Sequence, residues 1–165
     1  MNIRMTMTLA ALLTATPLLG QAQTLLLQER NLPLNLALEI AQGAVAACAQ
    51  RGINVSAAVV DRAGVLRALL RADNAGPHTI DASRAKAYTS ASARQPTLAM
   101  GETAQKNPGA QFLNDIPGFL LLGGGVPIRA GNEVIGALGI GGAPAGAIDA
   151  ECANQALDAV KDKLR

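Results

Sequence analysis

Apolar residues recur along this chain in two different rhythms. From Leu34 to Arg51, the positions Leu34, Ala37, Leu38, Ala41, Val45 and Cys48 fall at three- and four-residue steps. That is the stripe of an amphipathic helix, with Pro33 and Asn35 near its start and Gly52 as its C-cap. The rhythm then changes. Ile53 to Asp61 is a β-branched run without helical spacing, Arg62-Ala63-Gly64 is a glycine-containing turn, and Val65 to Arg71 follows it, which together predict a hairpin.

Ala72 to Pro77 carries Asp73, Asn74, Gly76 and Pro77 and reads as a loop. Asp81 to Arg94 is an Ala- and Ser-rich helix candidate, and Pro96 suits the first position of a further helix over Thr97 to Lys106. Phe119 to Leu122 is a short strand candidate, broken by Gly123-Gly124-Gly125 and continued by Val126 to Arg129. Ala130-Gly131-Asn132 turns into Glu133 to Ile140, and Asp149 is an apt N-cap for a last helix lined by Ala153, Leu157, Val160 and Leu164. Tight turns between neighbouring strands imply antiparallel pairing, and the helices need a sheet face to cover. The expected fold is α+β, with a central antiparallel sheet of about five strands flanked by helices, in one domain.

The first residues follow neither rhythm. Arg4, the apolar stretch Met5 to Leu19 and the small residues of Gly20-Gln21-Ala22 read as a secretory signal. Cleavage after Ala22 would leave a single domain over residues 23–165. The stretch is shorter than the roughly 20 apolar residues a bilayer span needs, and no later segment reaches that length. The expected location is periplasmic or secreted.

Composition removes several function classes. The chain has 165 residues, 14 Lys+Arg against 12 Asp+Glu, and three aromatics, with its basic residues scattered. Such a chain lacks both the charge and the stacking platforms of a nucleic-acid surface. Half of its residues are hydrophobic and only 16% are charged, which excludes a disordered polymer.

The two cysteines, Cys48 and Cys152, form no CxxC, so a zinc knuckle or thioredoxin-like motif is not indicated. In an oxidising compartment they read either as a disulfide, joined by antiparallel packing of the first and last helices, or as two small buried hydrophobes. The glycine run at 123–125 is not a phosphate loop, because neither Gly-Lys-Ser/Thr nor G-x-G-x-x-G occurs there. Gly136, Gly139, Gly141 and Gly142 mark a strand that something approaches closely: a flat ligand, a neighbouring subunit, or simply the packing.

His78 is the only histidine, and no G-x-S-x-G elbow presents a serine to it. In a polar loop it offers either one axial bond to haem iron or an ordinary exposed loop or cap residue. Arg71, Arg84 and Lys86 flank that loop, suited to carboxylates such as haem propionates or to surface pairing with Asp73 or Asp81.

The succession of short motifs resembles the GlcG/HbpS family, also called DUF336 or the haem-degrading family. The segments that carry the resemblance are Val59 to Gly64, Arg71 to Thr79, Lys86 to Thr89, Gln95 to Thr97, Gly123 to Ile128, and Val134 to Gly142 leading to Asp149. The resemblance implies a profilin-like domain, homo-oligomers, and in some members haem binding linked to sequestration or degradation. It places His78 in a matching loop motif and Lys86 and Thr89 in a matching helix motif. Many members carry a serine where this chain reads Gly141-Gly142.

Three readings of function follow. The first is an exported haem- or tetrapyrrole-binding protein, with His78 at or near the iron, Arg71, Arg84 and Lys86 on the propionates, and a flat ring against the glycine-bearing strand. The second is an enzyme acting on haem or a small organic acid, with Lys86, Asp61 and Asp149 as its polar residues. The third is a non-catalytic accessory subunit of an exported oxidoreductase or small-organic-acid pathway.

Overall fold

The structure, a computed structural model, describes residues 26–165; the expected signal segment lies outside the described residues. Four helices and four strands follow one another as α1 (Leu34–Ala49), β1 (Ser56–Asp61), β2 (Leu66–Arg71), α2 (His78–Ala93), α3 (Thr97–Lys106), β3 (Gly125–Ala130), β4 (Glu133–Gly141) and α4 (Gly146–Ala159). A 3₁₀ segment, Pro108–Asp115, follows α3, and a shorter one, Lys161–Lys163, follows α4. Among the described residues no helix is long and apolar enough to cross a membrane.

The strands form one antiparallel sheet in the order β2-β1-β4-β3, with Ser56 opposite both Arg71 and Gly141 and Gly125 opposite Gly139. The α+β class and the antiparallel sheet are as expected, but the strand count is four rather than five. Phe119–Leu122 is not a strand, because side chains have claimed its backbone. Thr89 Oγ1 accepts the Leu120 N–H (2.8 Å), Asn114 Oδ1 accepts that of Leu121 (3.1 Å), and Thr97 Oγ1 donates to Leu122 O (2.7 Å).

Alternation along β1 explains the layering. Ala57 and Val59 join α1, α4 and the inward residues of β3 and β4 in the larger core, with Ile40, Ala44, Ile128, Leu138 and Ile140. Ala58 and Val60 face the other way, onto Ala87 and Ala91 of α2. Every residue of β1 is buried, as a central strand covered on both faces requires. Cys48 of α1 and Cys152 of α4 are joined by a disulfide with a Cα–Cα distance of 5.5 Å.

Helix α2 carries no apolar stripe. Its buried residues are Thr79, Ser83, Lys86, Ala87, Thr89, Ser90 and Ala91. It lies on the sheet at close range because Ala137, Gly139 and Gly141, alternate residues of β4, present almost no side chain to it. A Cβ on Gly139 would stand 2.5 Å from Ala87 N, and one on Gly141 would stand 3.3 Å from Ser83 N. A flat ring therefore has no access to this face of the strand; the close approach is made by α2.

Three expected helix-start assignments shift. Helix α2 begins at His78, three residues before Asp81, because Thr79 Oγ1 donates to Gly76 O (2.6 Å) and closes the first turn. Asp149 sits inside the first turn of α4 rather than at its N-cap, which is Ala145. Pro96 is the N-cap of α3, one position outside the helix.

Candidate functional site

At the end of the sheet where β4 finishes and β3 begins, the chain leaves a pocket of about 460 Å³. His78 and Lys86 of α2, Glu102 of α3, Leu121 and Leu122, the Gly141–Pro144 turn and Asp149 of α4 line it. Its size is typical of small-molecule sites.

The wall of this pocket holds one ion pair. Lys86 Nζ donates to Asp149 Oδ2 at 2.8 Å and to Ile140 O at 2.9 Å. The two side chains are only 5% and 2% exposed. Asp149 Oδ1 accepts the Ala143 N–H at 3.1 Å, which ties the turn after β4 to α4. Burial pushes the Asp149 carboxyl above its ordinary value of 3.8, against the lowering pull of the Lys86 hydrogen bond and charge and of the Ala143 N–H. Gly124, with φ +119°, leaves the room that the pair occupies: a Cβ there would meet Asp149 Cβ at 2.7 Å and Lys86 Nζ at 3.2 Å.

The residues singled out in the sequence are divided by the fold. His78 and Lys86 share the pocket, His78 exposed near its mouth and Lys86 buried in its wall. The Lys86 charge faces Asp149 rather than solvent. Arg84 lies on a different side of α2, where it lines a separate cleft of about 310 Å³ with Tyr88, Leu66 and Gly118. Its guanidinium stands 3.8 Å from Asp81, the surface pairing its sequence position allowed. Arg71 donates to Ala75 O within the β2–α2 connection.

Thr89 is committed to structure, donating to Ala85 O (2.7 Å) and accepting from Leu120 N. Asp61 builds the hairpin turn, accepting the N–H groups of Ala63 and Val65 at 3.0 Å each. Sequence reasoning named both Lys86 and Asp149 but not their pairing, and missed Glu102 altogether. Nothing local marks Glu102. The pair had one signal, a lysine at a three-residue step from Ser83 on the small-residue face of α2.

A three-layer α+β domain whose one pocket-wall ion pair links the middle helix to the last is thus the class that fold and site define. The chain belongs to the HbpS-like family, described as haem degrading protein HbpS-like, whose model matches residues 32–158. A relative 32% identical over 119 residues is an uncharacterised 15.0 kDa protein in the dhaT-dhaS intergenic region of Citrobacter freundii; the match covers 70% of this chain and 82% of that protein. The crystal structure of HbpS is similar at 36% identity and a TM-score of 0.77, over 82% of this chain and 94% of HbpS. The structure of a PduOC–haem complex shares the fold at 22% identity and a TM-score of 0.70, over 79% of this chain and 95% of that one.

Proposed function

We propose that this protein binds haem or a related tetrapyrrole, with His78 as the iron ligand. The observation that carries the reading is the position of this single histidine, exposed near the mouth of a pocket whose rim is apolar at Leu98, Leu121 and Leu122. The donor set suits the group. One imidazole provides one axial bond, and helix α4 starts without a side-chain cap, so its first N–H groups suit a propionate. Bound haem would supply iron-centred chemistry; this chain's residues would hold it and limit its exposure to water. The family supports a haem-related role, and sequestration or degradation is the finer reading we propose within it.

We also propose that the protein is exported and acts as a homo-oligomer. The disulfide favours an oxidising compartment. Exposed apolar residues such as Phe112, Ile116 and Leu122 suit subunit contacts. The same residues favour the second reading, an accessory subunit of a larger oxidoreductase.

Titration of residues 23–165 with haem, followed by absorbance, tests the first reading. A saturable Soret shift that His78→Ala alters supports it. A shift unchanged in His78→Ala overturns the ligand assignment. No shift at all overturns haem binding and leaves the accessory reading.

A further inference from the structure

Lys86 is unusual within its own chain. The sequence has four lysines and ten arginines, and Lys106, Lys161 and Lys163 are exposed while Lys86 is buried. Arginine is the better cation for a buried pair, having a planar fork, weak hydration and a charge that it does not lose. Lysine is the residue that can give up its proton and become a nucleophile. A chain that otherwise prefers arginine has placed a lysine here, on the wall of a 460 Å³ pocket and 2.8 Å from a carboxylate.

We infer that Lys86 forms a Schiff base with a small carbonyl compound entering this pocket, with Asp149 as its proton acceptor and donor. The Lys86 ammonium first passes a proton to the Asp149 carboxylate. The freed lone pair then attacks the carbonyl carbon, forming the C–N bond while the C=O π pair moves to oxygen. A proton shifts from nitrogen to that oxygen, giving a neutral carbinolamine. Asp149 returns its proton to the hydroxyl, the C–O bond breaks, and water leaves. The product is a protonated imine on Lys86 and an ionised Asp149. An ammonium and a carbonyl have become an iminium and water, with no oxidant or reductant required.

The surroundings fit each role. Burial raises the affinity of Asp149 for a proton, which lowers the cost of taking one from Lys86. Ile140 O, 2.9 Å from Nζ, holds the amine in place. The backbone of Gly123, Gly141, Gly142 and Gly146 lines the pocket beside it. The inference does not depend on haem, and its test uses the haem-free protein.

That test is reductive trapping at pH 7 with propanal or pyruvate and cyanoborohydride, followed by peptide mass spectrometry of the four lysines. Of the four lysines only Lys86 stands on the wall of the pocket that would hold the carbonyl against its Nζ, so Lys86 is expected to be modified at least about tenfold faster than Lys106, Lys161 and Lys163. Asp149→Asn should bring it down to the rate of those three. Modification of Lys86 no faster than the surface lysines with either carbonyl overturns the proposal. An unchanged Lys86 rate in Asp149→Asn overturns the role of Asp149. Labelling by pyruvate but not propanal identifies 2-oxo acids as the class, and the converse identifies simple aldehydes; either supports the imine.

Discussion

Gly139 lies directly beneath Ser83, with no room for a side chain between the glycine and the Ser83 carbonyl. The distance between sheet and helix α2 is set there. Gly139→Ala forces backbone against backbone, and overpacking of that kind costs about 3 kcal/mol or more. Gly43 provides the contrast. Gly43 lies inside α1, and a Cβ there would make an ordinary 3.6 Å contact with Ala156 Cβ of α4, so Gly43→Ala should gain about 0.5–1 kcal/mol from helix propensity. Urea unfolding of the two variants checks both signs.

The pH dependence of stability carries the signature of Asp149. Its carboxyl has a higher pKa in the folded protein than its ordinary 3.8, so folding takes up a proton in the window above that value. Stability contributed by this group is present at low pH and is lost as pH rises through the folded pKa. Relative to Asp149→Asn, the wild type is therefore expected to gain stability as pH falls from 7 towards 4, and the substitution, which leaves the buried Lys86 ammonium without its carboxylate, should cost about 3–5 kcal/mol at pH 7. Urea midpoints of both proteins across that range decide it; a wild type that loses ground on acidification would mean a depressed carboxyl.

Thr97 anchors the glycine turn before β3. Its hydroxyl accepts the Gly125 N–H at 2.8 Å and donates to Leu122 O at 2.7 Å. Thr97→Val keeps the shape and strands both partners, at an expected cost of about 2–3 kcal/mol. Thr103, whose exposed hydroxyl donates to Ala99 O within α3, should tolerate the same change to within about 0.5 kcal/mol. Thermal unfolding separates the two.

The disulfide between Cys48 and Cys152 spans 104 residues. Chain-entropy arithmetic gives a loop of that size about 4–5 kcal/mol of stabilisation. Replacing both cysteines by alanine should lower the urea midpoint accordingly, and reductant should leave the variant unaffected while shifting the wild type.

Much of this architecture was legible in the sequence. Helix α1 announced itself by its apolar spacing and the hairpin by its glycine turn, while the meeting of the first and last helices at Cys48 and Cys152 was one of two alternatives the sequence left open. Helix α2 was harder, because its buried face is built from Thr79, Ser83, Ala87, Ser90 and Ala91 rather than large apolar residues. Those positions do recur at three- and four-residue steps, but only the facing glycines of β4 reveal that small means buried. The 119–122 segment misled because apolar content says nothing about where backbone N–H groups will find acceptors. The Lys86–Asp149 pair joins residues 63 positions apart, and no local pattern encodes such a meeting.

The placement of β1 has a consequence for synthesis. β1 lies between β2 and β4, and one of its two neighbours is made almost last. A nascent chain that has completed its first hairpin carries an apolar strand with one side bare and a first helix without its partner. Such an edge invites pairing with other chains. It stays open until β4 and α4 emerge, so an early translational stop should yield aggregates rather than a smaller domain.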